Sequence, residues 1–89
     1  MASFYPHLYE AALALLVEAR RKAGLAQAEL AERFGQPATL VSSYEEGGRL
    51  LDPAEYIAIA RAIGVDPYAL LQQAEQADGG STGNDQPQS

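Results

Sequence analysis

The chain has 89 residues, enough for one small domain, and its 12 acidic and six basic residues give it a net charge of −6. It contains no cysteine, which excludes disulfides and thiolate metal sites and favours a reducing, cytoplasmic compartment. No apolar run approaches the roughly 18 residues that a membrane span needs, and the acidic balance argues against broad contact with nucleic-acid phosphates.

Two helices are predicted in the first part of the chain, over residues 6–23 and 27–34. Apolar residues recur there at steps of three and four, which is the spacing of a helix with one buried face. We expect Gly24 to end the first helix in a left-handed conformation and Gly35 to stop the second. The second helix lacks a capping side chain, because Ala26 has no acceptor, at a cost of about 1 kcal/mol.

A short third helix is predicted next, with Pro37 in its first turn and its end at residues 45–48. Leu40, Val41 and Tyr44 have the spacing of a buried stripe. We therefore expect this helix to pack one side on the core and to expose the other.

The fourth helix has the clearest start signal of the chain. Asp52 is an acidic N-cap, Pro53 follows it in the first helical position, and Glu55 completes a capping box. Gly64 is expected to close this helix.

A fifth helix is predicted from a similar start at Asp66 and Pro67, and it fades by residue 78. Residues 79–89 are small and polar and include no large apolar side chain. Such a segment cannot offset the entropy of ordering, so we predict a disordered tail after a domain that spans residues 1–78.

Four stretches of the chain resemble one protein family when they are taken together. They are residues 19–35 (ARRKAGLAQAELAERFG), 41–47 (VSSYEEG), 51–56 (LDPAEY) and 59–67 (IARAIGVDP). They resemble the phage-repressor family of helix-turn-helix proteins (Cro/cI type, also called XRE), over a motif core of residues 15–71. The resemblance implies an all-α, compact, lambda-repressor-like domain of five helices, whose third helix can enter a DNA major groove.

The resemblance also implies a structural ion pair between Arg20 and Glu45. In the family, an arginine four residues before the first glycine pairs with the glutamate that closes helix three. We expect the pair to be partly buried, to hold helix one against helix three and to contact no ligand. Removing one partner should cost a few kcal/mol, because the other partner is left buried and unpaired.

The resemblance assigns contact with a ligand to one face of the second and third helices and the loop that follows. This DNA- or partner-binding face comprises Gln27, Gln36, Ala38, Thr39, Ser42, Ser43, Glu46, Arg49 and Leu50. For Gln27 two roles remain open, since its amide can bond a phosphate or anchor helix three.

Several positions of this face depart from the family's pattern. Ala38 can only touch a thymine methyl, where many members carry glutamine. Ser43 stands where many members have a long polar or basic side chain, and Glu46 stands where many have a basic or small polar one. Leu50 replaces an arginine of the relatives that this sequence resembles. We therefore expect one copy to bind DNA weakly, because few phosphates are neutralised.

Two functions of different classes follow. A DNA-binding regulator would recover affinity for double-stranded DNA as a homodimer, with its two recognition helices about one turn of DNA apart. Alternatively, the helix-turn-helix is an antiactivator or antirepressor that binds a partner transcription factor and no DNA, as the acidic face and Leu50 suggest. We expect no enzyme activity, no cofactor, no metal, no small-molecule substrate and no membrane contact, since no side chain is placed to activate a nucleophile.

For several other apolar residues, the sequence does not decide between a place in the core and a place in a dimer contact. In the loop after helix three, Leu50 is expected to be exposed and Leu51 to cover the core. Folding back over helix five is favoured for the aromatic group near the start of the chain. The residues concerned are Phe4, Tyr5 and Tyr9 near the start, and Tyr68, Leu70 and Leu71 in helix five.

Overall fold

Five helices make up the part of the chain that the computed structural model describes, residues 6–79. They are α1 (Pro6–Lys22), α2 (Gln27–Arg33), α3 (Ala38–Glu45), α4 (Pro53–Ile63) and α5 (Pro67–Gly79). No strand occurs within residues 6–79, and the predicted all-α fold of five helices is confirmed.

The helix ends that differ from the prediction do so by one residue. α1 ends at Lys22 and α2 at Arg33, each one residue earlier than predicted. Gly24 has a φ of 74°, so the left-handed end of the first helix is confirmed. α5 extends to Gly79, one residue beyond the predicted domain boundary. The rest of the predicted tail, like Phe4 and Tyr5, lies outside the described residues.

Side chains cap three of the helix starts, and at α5 the Tyr68 N–H donates to Asp66 Oδ1 at 2.9 Å. At α4, Asp52 Oδ1 accepts a hydrogen bond from the Glu55 N–H (2.7 Å) and Glu55 Oε1 accepts one from the Asp52 N–H (3.0 Å), which confirms the capping box. At α2, only the reciprocal half of such a box exists, because the Ala26 N–H donates to Glu29 Oε1 (2.7 Å) and alanine has no acceptor to return. This partial cap was not predicted from the sequence, since the expectation considered only the missing acceptor at Ala26.

The core draws on all five helices, with α1 packed mainly against α5 and α2 mainly against α3. Burying an aliphatic or aromatic side chain of this core contributes roughly 1.5–3 kcal/mol. Leu40, predicted for the buried stripe of α3, is only half-buried and lines a surface groove instead. The largest fully buried side chains are those of Tyr44, Leu16, Leu30, Ile59 and Val41.

Two tyrosines of the α1–α4 contact add polar ties to this apolar core. The Tyr56 hydroxyl donates to the Ala12 carbonyl at 2.7 Å, and burial raises the pKa of Tyr56 to about 12. Tyr9 Oη accepts a hydrogen bond from the Leu51 N–H at 3.1 Å, so this aromatic residue ties α1 to the loop before α4. None of the five helices described combines the length and the apolar composition that crossing a membrane requires.

Candidate recognition surface

The outward side of α3 carries short, uncharged side chains. Ala38 and Thr39 are exposed in the first turn of the helix, and Ser42 and Ser43 are half-buried in the next. The Ser42 hydroxyl donates to the Thr39 carbonyl at 3.2 Å, so part of its hydrogen-bonding capacity is used within the helix. Another molecule can therefore approach this side of α3 closely and form a few hydrogen bonds with it, but it meets no charged side chain there.

α3 ends in a Schellman motif that turns the chain sharply towards α4. The Gly48 N–H donates to the Ser43 carbonyl (2.9 Å) and the Gly47 N–H donates to the Tyr44 carbonyl (3.2 Å). Gly47 has a φ of 87°, a left-handed conformation that a residue with a side chain adopts only under strain. The motif sets the direction in which the loop of residues 49–52 continues from the end of α3.

A buried ion pair joins the last residue of α3 to α1. Arg20 Nε lies 2.7 Å from Glu45 Oε2 and Arg20 Nη2 lies 3.0 Å from Glu45 Oε1, and the two side chains are only 10% and 7% exposed. Arg20 Nη1 also donates to the Leu25 carbonyl at 2.7 Å. The hydrogen bond to Glu45 raises the pKa of Arg20, so the guanidinium stays charged despite its burial.

Gln27 belongs to the same network. Its Nε2 donates to Glu45 Oε1 at 2.9 Å, which corresponds to the anchoring role among the two that its sequence left open. The Glu45 carboxylate therefore accepts three hydrogen bonds, two from α1 and one from the first residue of α2. Both preceding helices thus hold the end of α3.

Arg49, in the loop between α3 and α4, pairs with Glu55, which the sequence predicted only as part of the α4 capping box. Its Nη1 and Nη2 lie 3.1 Å and 2.6 Å from the two carboxylate oxygens of Glu55. The hydrogen bond from Arg49 lowers the pKa of Glu55, with a further contribution from the Asp52 N–H. The capping box could have indicated this pair from the sequence. A glutamate at N3 turns its carboxylate back towards the preceding loop, where a nearby arginine can pair with it.

The remaining members of the face add no free positive charge. Within residues 27–52 the basic residues are Arg33 and Arg49, and Arg33 Nη1 donates to the Ala62 carbonyl of α4 at 2.9 Å. Gln36 and Glu46 are exposed, and Leu50 is 43% exposed, as expected. Both guanidinium groups of this region thus already bond to the protein itself.

A groove of about 360 Å³ runs beside this face, between the end of α2, α3 and α4. Phe34, Leu40 and Ile59 line it together with the Arg49–Glu55 pair. In the described part of the chain, no three His, Asp or Glu side chains come together as a metal site would require.

Comparisons with known proteins agree on one kind of domain. A family model described as helix-turn-helix matches residues 16–70. The solved structure of an XRE-family like protein from Pseudomonas syringae pv. tomato str. DC3000 is similar to this chain, with 48% sequence identity and a TM-score of 0.76. The match covers 79% of this chain and 85% of that chain. Among curated proteins, none matches the chain.

Proposed function

Because the chain belongs to the XRE family of helix-turn-helix transcription regulators, we propose that it binds double-stranded DNA along α3, weakly in one copy and more tightly in two. The observation that supports this proposal is the exposed start of α3, with Ala38 and Thr39 outermost. A short side chain lets the helix approach base edges, where Ala38 can touch a thymine methyl and Thr39 can hydrogen-bond.

Weak binding by one copy follows from the charges of the face. Arg49 is already neutralised by Glu55, and Glu46 adds an exposed negative charge beside α3. Each phosphate that a protein neutralises contributes roughly one unit to the slope of log affinity against log salt. We expect a shallow slope for one copy, and we expect two copies to bind half-sites about one helical turn apart.

A second candidate function is favoured by a specific observation on the same face. Leu50 exposes a large apolar side chain, and Glu46, four residues before it, is exposed and acidic, a combination that suits a protein surface better than a phosphate backbone. In this alternative, the domain is an antiactivator or antirepressor that occupies a partner transcription factor.

Selection against random duplex DNA separates the two candidates. The purified chain is incubated with the duplex pool at about 50 mM salt, where phosphate contacts contribute most, and bound sequences are enriched. An enriched motif, palindromic if two copies bind, supports the DNA-binding regulator. Absence of both enrichment and salt-sensitive retention contradicts it and favours the partner-protein alternative.

A charge-restored variant tests whether α3 is the contacting helix. Combining Ser43→Lys, Glu46→Arg and Leu50→Arg should raise non-specific DNA affinity by about tenfold or more at low salt, because new phosphate contacts form. The matched control combines Glu10→Lys with Glu18→Arg on the exposed side of α1, which changes the net charge equally. Equal gains in both variants would mean that net charge, and not the α3 face, governs binding.

A further inference from the structure

The glutamate in the first turn of α4 holds the only basic residue of the loop that follows α3. Glu55 accepts two hydrogen bonds from the Arg49 guanidinium, at 3.1 Å and 2.6 Å, one on each carboxylate oxygen. This contact lowers the pKa of Glu55, so the carboxylate carries its full negative charge at neutral pH. Both side chains are partly exposed, and the pair is therefore accessible to a large anion such as a DNA strand.

The two residues of this pair are held differently. Glu55 Oε1 also accepts a hydrogen bond from the Asp52 N–H at 3.0 Å, as part of the α4 capping box. Among the described residues, every hydrogen bond of the Arg49 side chain goes to Glu55. If the pair separates, the carboxylate therefore stays with α4, and the arginine is the partner that moves.

Arg49 would lie beside the phosphates of a duplex bound along α3. The eight residues of α3 make a helix about 12 Å long, which is close to the width of the major groove. The loop that leaves its end would therefore come to the edge of the groove, where a phosphate backbone runs. Within residues 38–53, Arg49 is the only basic residue. The number of phosphates that this region can neutralise thus depends on whether Arg49 is free.

We propose that Glu55 is a positioning residue that withholds Arg49 from the DNA backbone and so limits the affinity of the α3 face for phosphate. A carboxylate and a phosphate bind a guanidinium through the same two parallel hydrogen bonds, so Arg49 gains little by exchanging one for the other. Replacing the Glu55 carboxylate with a neutral group removes the competitor and leaves a free arginine beside the face. This inference deepens the proposed function and rests on it, because the withheld ligand is the backbone of double-stranded DNA.

Glu55→Gln provides the test, because glutamine keeps an oxygen for the Asp52 N–H and carries no charge. Fluorescence anisotropy with a labelled duplex of arbitrary sequence measures the affinity of the full chain between about 50 and 200 mM salt. The variant should bind about tenfold more tightly than the wild type at the lowest salt concentration. The slope of log affinity against log salt should steepen by about one unit, because one more phosphate is neutralised.

Two further variants show whether Glu55 acts through Arg49. Adding Arg49→Gln to Glu55→Gln should remove both the gain in affinity and the change in slope, which a merely structural role of Glu55 would not do. Glu32→Gln, at an exposed glutamate of α2 outside the face, is the matched control for net charge. It should change the affinity by less than about twofold and leave the slope unchanged. Circular dichroism verifies that each variant is folded.

The possible results separate this inference from the proposed function. A gain for Glu55→Gln that persists without Arg49, or an equal gain for Glu32→Gln, overturns the inference, because net charge would then explain the gain. An unchanged affinity of Glu55→Gln overturns it as well, and DNA binding by the wild type then leaves the proposed function intact. If none of these chains binds duplex DNA at any salt concentration, the proposed function fails, and the inference fails with it.

Discussion

The two arginine–glutamate pairs of this domain share a geometry and differ in their surroundings. Both join two guanidinium nitrogens to two carboxylate oxygens, with shortest distances of 2.7 Å for Arg20–Glu45 and 2.6 Å for Arg49–Glu55. The side chains of the first pair are 10% and 7% exposed, whereas those of the second are 41% and 31% exposed. Distance alone therefore does not distinguish them.

Their surroundings assign them different tasks. Arg20 and Glu45 are shielded from water. Arg20 also donates to the Leu25 carbonyl, and Glu45 also accepts from the Gln27 amide. Removing either residue of the pair therefore leaves the charge of the other buried. Arg49 and Glu55 remain partly exposed, so solvent screens their attraction. The buried pair thus holds α3 in place, and the exposed pair mainly removes a positive charge from the candidate recognition surface.

The largest effect is expected at the buried pair. Arg20→Ala should lower the free energy of unfolding by about 3–5 kcal/mol, because Glu45 loses both hydrogen bonds from the guanidinium while it stays shielded from water. Thermal and urea unfolding of the ligand-free chain measure this loss. Arg21→Ala is the control, since it removes the neighbouring arginine, which is exposed. If both variants unfold like the wild type, the buried pair does not hold the fold together.

The sequence predicted well those features that depend on neighbouring residues. The capping box at Asp52 and Glu55 and the left-handed end at Gly24 are local, and the structure has both. The Arg20–Glu45 contact spans 25 positions along the chain, and it was foreseen only from the family resemblance.

The parts that the sequence did not predict depend on how loops and helices meet. Arg49 reaches Glu55 because the chain turns sharply after α3, and the placement of Arg49 in the DNA- or partner-binding face did not predict this partner. The exposure of Leu71 beside the buried Leu70 depends on the rotation of α5 against α1, which periodicity alone does not determine.

A buried hydrogen bond between neutral groups sharpens the comparison by separating burial from charge. Tyr56→Phe removes the hydroxyl that donates to the Ala12 carbonyl and should lower the free energy of unfolding by about 1 kcal/mol, measured by urea unfolding at neutral pH. Retention of the aromatic ring keeps the packing, so the loss should be well below that of Arg20→Ala. An equal loss would mean that burial matters here more than charge.

Ionisation of the same tyrosine should make the free energy of unfolding fall at alkaline pH. Burial raises the pKa of Tyr56 from 10.0 to about 12, so the folded state holds this proton more tightly than the unfolded state. Its contribution is complete below about pH 10 and is lost as the pH rises towards 12. The decline should be shallower in Tyr56→Phe, and identical pH profiles would contradict this assignment.

A smaller effect is expected at the exposed cap of α4. Asp52→Ala removes the acceptor for the Glu55 N–H and should cost about 1 kcal/mol or less of stability, since water can partly satisfy the freed N–H group. Thermal unfolding measures the change, and Asp52→Asn, which keeps an acceptor, should recover most of it. A loss as large as that of Arg20→Ala would contradict the expectation that an exposed cap contributes less stability than a buried ion pair.

The smallest effect is expected at the exposed pair. Arg49→Gln should leave the melting temperature at neutral pH nearly unchanged, because both side chains are partly exposed, at 41% and 31%, and solvent screens their attraction. Since Arg49 lowers the pKa of Glu55, the wild type has a stability contribution that is present above the ordinary glutamate pKa and is lost as the pH falls. The variant should therefore lose less stability on acidification. A large loss at neutral pH would show that the exposed pair is structural after all.

The three hydrogen bonds that Glu45 accepts have a consequence for how this domain can change. They hold α3 at its C-terminal residue, so the helix is ordered in the absence of a ligand. Binding along α3 would therefore cost little conformational entropy. The residues that fix the helix are separate from Ala38, Thr39 and Ser43 on its outer side. Under the proposed function, exchanging the outer side chains of α3 would change which ligand is bound while the rest of the domain keeps its shape.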